Sequence, residues 1–338
     1  MLISPTSKPL VFITMGDPAG IGPEIIAGSM ASLGIRGLAI FVILADSGVM
    51  KRAFGPGMND EIVIHSPGSE SEEISVAGDR VNILDPGGSL GRVEPGRPTD
   101  KGARKAMECI ELAARLMRDG PKQGPRAMVT APVDKSVIAR ISPGFVGHTE
   151  YFHGFFFAKR TTMVLVGENL RVVPVTRHIP VKEISAALNV DLIADTLEEV
   201  VKNRELICGT DTARIGVCAL NPHCGEGGVI GREEIDVILP AVERIKSIYR
   251  NIEGPVSADV IFYKAFKKEI DIVVSMYHDQ CLAPFKMVDF DNGVNMTLGL
   301  GCIRTSPDHG TAFDIAGKGT ASSESMENAI KLAVRACG

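Results

Sequence analysis

The sequence predicts an α/β protein built on a buried, mainly parallel sheet, and three observations carry that class. Short apolar, β-branched runs alternate with longer stretches of helical period. The runs are apolar almost throughout, as strands covered on both faces are. Several of them break into polar or turn-forming residues at their ends, as strands do at the ligand-binding carboxyl edge of a parallel sheet. In chain order the first strand candidates are Leu10 to Thr14, Ala39 to Ala45 and Arg80 to Leu84, followed by a glycine- and proline-rich loop from Pro86 to Pro98. Thr99 is placed to cap a helix over Asp100 to Asp119, whose Ala103, Met107, Ile110, Ala113 and Met117 share one face and whose stop is Gly120. Further strands fall at Ala127 to Thr130, Met163 to Val166, Leu170 to Thr176, Ile215 to Leu220 and Ile272 to Met276, with a loop at Asn221 to Gly231. A last helix from Ser323 to Arg335 carries the stripe Met326, Ala329, Ile330 and Ala333. No internal repeat or low-complexity linker separates these elements, so a second domain would be an insertion sharing the sheet.

Composition narrows the function classes. With 338 residues and 45% hydrophobic content the chain can fill two cores, or one large one, without disulfides. Seven cysteines, an odd number with no Cys-x-x-Cys pair, indicate neither a disulfide framework nor a Cys-rich zinc module and suit a reducing compartment. The opening Met1 to Pro9 is too short and too weakly apolar for a signal peptide, and no apolar run reaches membrane-spanning length. A soluble, cytoplasmic protein is expected. A net charge of −5, no Trp and four Tyr argue against a nucleic-acid surface.

Three histidines concentrate the chemistry. His178, His223 and His278 each follow an apolar run, and three neutral imidazoles with an open fourth position describe a catalytic zinc site. Singly, each could equally be satisfied by backbone at a strand end. Cys224 is either a fourth ligand or a packed turn residue, and Asp279 could orient an imidazole. The turn Thr14 to Glu24 either offers backbone N–H groups to an anion or simply joins strand to helix, with Pro23 at the first helical turn. His148 and Thr149 either bind a phosphate or carboxylate at a helix N-terminus or form a capping box. Lys286, Asn295 and Arg304 would suit a phosphorylated, carboxylate-bearing substrate if they converge, and are ordinary surface ion-pairing groups if they do not. The glycine-rich stretch from Asp308 to Gly319 could wrap a nucleotide.

At these segments the chain closely resembles the 4-hydroxythreonine-4-phosphate dehydrogenase family of pyridoxal phosphate biosynthesis. The likeness runs from Met15-Gly16-Asp17-Pro18-Ala19-Gly20-Ile21-Gly22-Pro23-Glu24 through Gly147-His148-Thr149-Glu150, Asn221-Pro222-His223 and Tyr277-His278-Asp279-Gln280 to Arg304-Thr305-Ser306-Pro307-Asp308-His309-Gly310-Thr311-Ala312. The stretch from His309 to Gly319 is also similar to the nucleotide loop of isopropylmalate and isocitrate dehydrogenases. The resemblance implies two α/β/α domains of that type with a cleft between them, residues 1–130 with 295–338 forming the first and 131–294 the second. It implies a divalent metal on His178, His223 and His278, zinc foremost with magnesium or cobalt as alternatives, and ligands drawn from both subunits of a homodimer. It further implies substrate contacts from His148, Thr149, Lys286, Asn295 and Arg304, catalytic roles for Asp279 and Lys286, and NAD or NADP bound by His309, Gly310, Thr311, Ala312, Asp314 and Gly317. The implied reaction is oxidation of 4-phosphooxy-threonine at C3 and decarboxylation to 3-amino-2-oxopropyl phosphate. A paralogue acting on D-threonate or D-erythronate 4-phosphate, a metal-dependent hydrolase or acyltransferase, and a catalytically silent metabolite binder are the alternatives. Two departures from the family pattern, Cys281 in place of glycine and Gly301-Cys302 in place of a Pro-containing pair, flank proposed site residues.

Overall fold

The computed structural model of the chain describes every residue except 1, 4–7, 67–72, 77, 79 and 121–123, so most of the opening segment lies outside the described residues. The chain divides into two compact units, residues 1–161 with 300–338 and residues 162–299. Among the described residues no helix is long and apolar enough to cross a membrane.

The first unit is built on six parallel strands in the order Ile303–Pro307, Arg126–Thr130, Leu10–Thr14, Ile40–Leu44, Val81–Leu84, Ile62–His65. Leu10–Thr14 and Ile40–Leu44 are buried at every position, as strands sandwiched between helices must be. The helix Asp100–Asp119 covers one face. Thr99 caps it by accepting the Gly102 N–H at 3.1 Å, and Ala103, Met107, Ile110, Ala113 and Met117 are all buried. At its end Gly120 is extended rather than left-handed. The closing helix Glu324–Arg335 buries Met326, Ala329, Ile330 and Ala333.

Residues 131–161 belong to this first unit, not to the second as the sequence reading placed them. The reason is apolar packing: Val137, Ile138, Phe145 and Phe152 enter the same core as Phe12, Ile110 and Met128.

The second unit is a mixed six-stranded sheet ordered Ile252–Val256, Ile215–Cys218, Ile272–Ser275, Arg171–Pro174, Thr162–Val166, Val294–Leu298. The first four strands run parallel, and the last two pair antiparallel. Buried Asp289 closes the hairpin between Thr162–Val166 and Arg171–Pro174 by accepting the backbone N–H groups of Glu168, Asn169 and Leu170. A carboxylate can take several such donors at once, so the turn needs no further partner for them.

Candidate active site

The three histidine-bearing runs are neighbours. Ile215–Cys218, Ile272–Ser275 and Arg171–Pro174 lie side by side, parallel and in register, so their carboxyl ends open on the same edge of the sheet. Pairing continues past the strands. Val175 donates its backbone N–H to Ser275 at 2.8 Å, and Thr176 donates both backbone and hydroxyl to the Met276 carbonyl, at 3.2 and 2.8 Å. Gln280 accepts from the Met276 N–H and donates to the Ala219 carbonyl, each at 2.7 Å, which ties two strand ends to the helix His278–Asp289.

These bonds bring His178 and His278 together, with ring centroids 5.9 Å apart. Two imidazoles on one tetrahedral ion, with metal–nitrogen bonds of about 2 Å, have centroids roughly 5 Å apart, somewhat closer than this pair. His278 Nδ1 lies 2.6 Å from Asp279 Oδ1. With Asp279 as the acceptor, Nδ1 is the donor of this bond and Nε2 is the nitrogen left for another partner.

His223 is not part of this pair. It sits in the turn Pro222–Gly228, where His223, Cys224, Gly225, Glu226 and Gly227 are all left-handed, and its largely exposed ring bonds Glu226 through Nδ1 at 3.0 Å. Among the described residues no group of three or more His, Cys, Asp or Glu side chains is arranged to hold a metal ion. The Cys224 thiol approaches the Pro255 carbonyl at 3.8 Å, and burial raises its pKa. Cys281 is buried under the same helix with its Sγ 3.5 Å from the His278 carbonyl, and burial pushes its thiol up to about 12. The departure from the family pattern at this position is thus absorbed by the core. Lys286 lies two turns along the helix, its Nζ 5.1 Å from the centroid of the Phe290 ring. Asn295, on Val294–Leu298, has a buried Oδ1 without a hydrogen-bond partner, an acceptor waiting for a donor.

In the first unit His148 and Arg304 share one neighbourhood. His148 opens the helix His148–Phe155, whose N-cap is Gly147 without a side-chain bond, so no capping box forms at Thr149. The His148 Nε2 is buried and unpartnered. Burial, with the positive charges of Arg304 and Lys135, holds the imidazole well below its usual pKa. Arg304 is buried, donates from Nε and Nη2 to the Thr130 hydroxyl at 3.2 and 2.7 Å, and is lowered to about 10 by desolvation. Glu150 acts on Arg304 as well, so the surroundings of His148 hold a buried guanidinium, a lysine and a carboxylate. Neither Lys135 nor Thr130 carries a motif of its own; their only signal is position, next to a strand end that faces the site. Gly301 beside Arg304 has φ 73°, a value closed to proline, so the chain takes its own course there.

The turn from Thr14 to Glu24 joins the first strand to a helix that begins at Gly22. Five of its N–H groups bond within the protein: Met15 to Leu44, Asp17 to Pro132, Ala19 and Gly20 to Asp17, and Ile21 to Thr311. The last of these bonds fastens the stretch His309 to Gly319 to the turn. Glu24 accepts the N–H groups of Gly317 and Gly319 as well. Gly317 therefore anchors the loop, while His309 bonds the Gly310 carbonyl at 3.1 Å and Ala312 takes a left-handed φ of 42°. Asp314 is exposed at its outer side.

The chain is similar to known proteins over nearly its whole length. A curated 4-hydroxythreonine-4-phosphate dehydrogenase from Trichlorobacter lovleyi is 37% identical over 333 residues, covering 98% of each chain. One from Geobacter metallireducens is 39% identical over 333 residues, covering 97% of this chain and 96% of its own. The crystal structure of 4-hydroxythreonine-4-phosphate dehydrogenase from Klebsiella pneumoniae superposes with a TM-score of 0.80 at 33% identity, covering 97% of this chain and 99% of that one. The family model for the pyridoxal phosphate biosynthetic protein PdxA matches residues 38–333, and the chain belongs to that family.

Proposed function

We propose that the chain is a 4-hydroxythreonine-4-phosphate dehydrogenase that oxidises the C3 hydroxyl of 4-phosphooxy-threonine with NAD or NADP and releases CO2 to leave 3-amino-2-oxopropyl phosphate. The observation that carries this reading is buried Arg304 in the surroundings of His148, whose Nε2 is buried without a partner, in a chain alike over nearly its full length to dehydrogenases of that name. Arg304 and Lys135 meet the substrate's anionic group, and His148 Nε2 bonds one of its oxygens. Thr149, Lys286 and Asn295 are the further substrate-binding residues of this reading.

His178, His278 and His223 would hold a divalent cation, zinc foremost. When bound, that cation supplies Lewis-acid polarisation of the hydroxyl, and the nicotinamide supplies the hydride acceptor. Asp279 keeps Nε2 of His278 available for it. With His223 exposed and outside the His178–His278 pair, the reading includes a homodimer in which a second copy completes the ligand set. Exposed Val229 and Ile230, which follow the His223 turn, suit such a contact. The nucleotide lies along His309 to Asp314, where the loop is not engaged by Glu24. Free cysteines throughout suit a reducing cytoplasm.

The test is a steady-state assay with 4-phosphooxy-threonine and each cofactor, with metal added or chelated. Reduced nicotinamide and CO2 are expected in equal amounts, and turnover should be lost on chelation. No reduction of either cofactor with metal and substrate present refutes the assignment, and turnover indifferent to strong chelation refutes the metal.

A further inference from the structure

We infer that Thr130 is a positioning residue for this reaction, its hydroxyl fixing the orientation in which Arg304 meets the substrate anion. The inference rests on the proposed role of Arg304 and adds a residue that makes the role possible. Thr130 ends the strand Arg126–Thr130, and Arg304 lies near the start of the parallel neighbour Ile303–Pro307. Arg304 stands opposite Met128, so Thr130, two residues on, projects from the same face of the sheet. The guanidinium runs along that face to reach it.

Both side chains are sealed from solvent, at 3% exposure for Arg304 and 1% for Thr130. In that setting a guanidinium donor without an acceptor is costly, and the Thr130 hydroxyl takes two hydrogens from one edge of the plane, Nε at 3.2 Å and Nη2 at 2.7 Å. Two bonds from a planar group to one point stop its rotation about the last side-chain torsion. Recognition of an oxyanion by arginine depends on that plane, because the donors form a rigid fork. Thr14 pairs in register with Thr130 on the next strand, so the hydroxyl sits in a wall of fixed backbone.

The experiment uses Thr130→Val, which keeps the shape and removes the acceptor, Thr130→Ser, which restores it, and Arg304→Met as a control. Steady-state kinetics are read for 4-phosphooxy-threonine and for the nicotinamide separately. The Val variant should raise KM for the phosphorylated substrate about tenfold or more, the size of a lost bond to a charged group, with KM for the nicotinamide unchanged. The Ser variant should recover most of that loss. If the Arg304→Met variant is impaired and Thr130→Val binds substrate as the native chain does, Thr130 has no positioning role. If Val and Ser variants lose both KM values together with thermal stability, the residue is merely structural and the inference is overturned. An unimpaired Arg304→Met variant overturns the reading of Arg304 itself, and this inference with it.

Discussion

Replacing Glu234 with alanine should unwind the turn that carries His223 while leaving the rest of its unit folded. Glu234 is buried and accepts the backbone N–H groups of Leu220 and Asn221 at 2.8 and 2.7 Å and the Asn221 side-chain amide at 3.0 Å. Just beyond these donors the chain enters five successive left-handed residues, of which His223, Cys224 and Glu226, at φ 54°, 55° and 46°, are not glycine. A left-handed conformation costs a residue with a Cβ about 1–2 kcal/mol, so the three together store roughly 3–6 kcal/mol. Bonds to a buried carboxylate are worth about 1.5–3 kcal/mol each, and three of them, discounted for partial exposure of Asn221, come to roughly 3–5 kcal/mol. The two sums are of one size, so the turn persists because Glu234 opposes its strain. Hydrogen exchange read by mass spectrometry should show amides of residues 220–228 exchanging about 100-fold faster in Glu234→Ala, the equivalent of roughly 3 kcal/mol, with the strand Ile272–Ser275 unchanged. Glu234→Gln, which keeps one acceptor oxygen, should fall between. Native exchange rates across residues 220–228 in the alanine variant would refute the reasoning.

Two further outcomes follow from the same geometry. Asp279→Asn removes the carboxylate on His278 Nδ1, so affinity for zinc, measured by competition with a chromogenic chelator, should fall about 10- to 100-fold; unchanged affinity would show that Asp279 does not orient the imidazole. His148 has a folded pKa depressed by burial and by the charges of Arg304 and Lys135. In the unfolded chain it takes up a proton below about pH 6.5, so stability is complete above that pH and declines as pH falls, with a slope approaching about 1.4 kcal/mol per pH unit. Urea denaturation of His148→Gln from pH 7 to 5 should show a shallower decline than the native chain, and parallel curves would exclude the effect.

How much of this is legible in the sequence depends on whether a feature is fixed by local pattern or by a distant partner. Strands buried on both faces must be apolar throughout, and that is why Leu10–Thr14, Ile40–Leu44 and the three histidine-bearing runs can be read directly. A helix with a wet face declares itself by period, as Asp100–Asp119 does. The place of residues 131–161 cannot be read this way, since the apolar faces of Val137, Ile138 and Phe152 say that they pack without saying on what. Thr130 is equally mute: a threonine at a strand end is ordinary, and only the arrival of Arg304, 174 residues later in the chain, makes its hydroxyl a receptor.

The turn at His223 shows the same division within seven residues. Gly225, Gly227 and Gly228 announce a turn, because glycine alone adopts positive φ at no steric cost. Nothing local announces that His223, Cys224 and Glu226 follow them into the left-handed region, and their own preferences oppose it. The conformation is held by Glu234 from the next helix, so His223 is legible in the sequence as a candidate while its backbone presentation is not. Strain of this kind persists only where surrounding structure over-determines it, and it gathers where a side chain must be aimed. The consequence for the metal reading is specific. His178 and His278 are brought together by sheet pairing that any stable fold of this unit would keep, whereas His223 is aimed by a carboxylate that contributes three hydrogen bonds to one turn. Metal affinity should therefore be far more sensitive to substitutions around Glu234 than to conservative changes in the strands beneath the other two histidines.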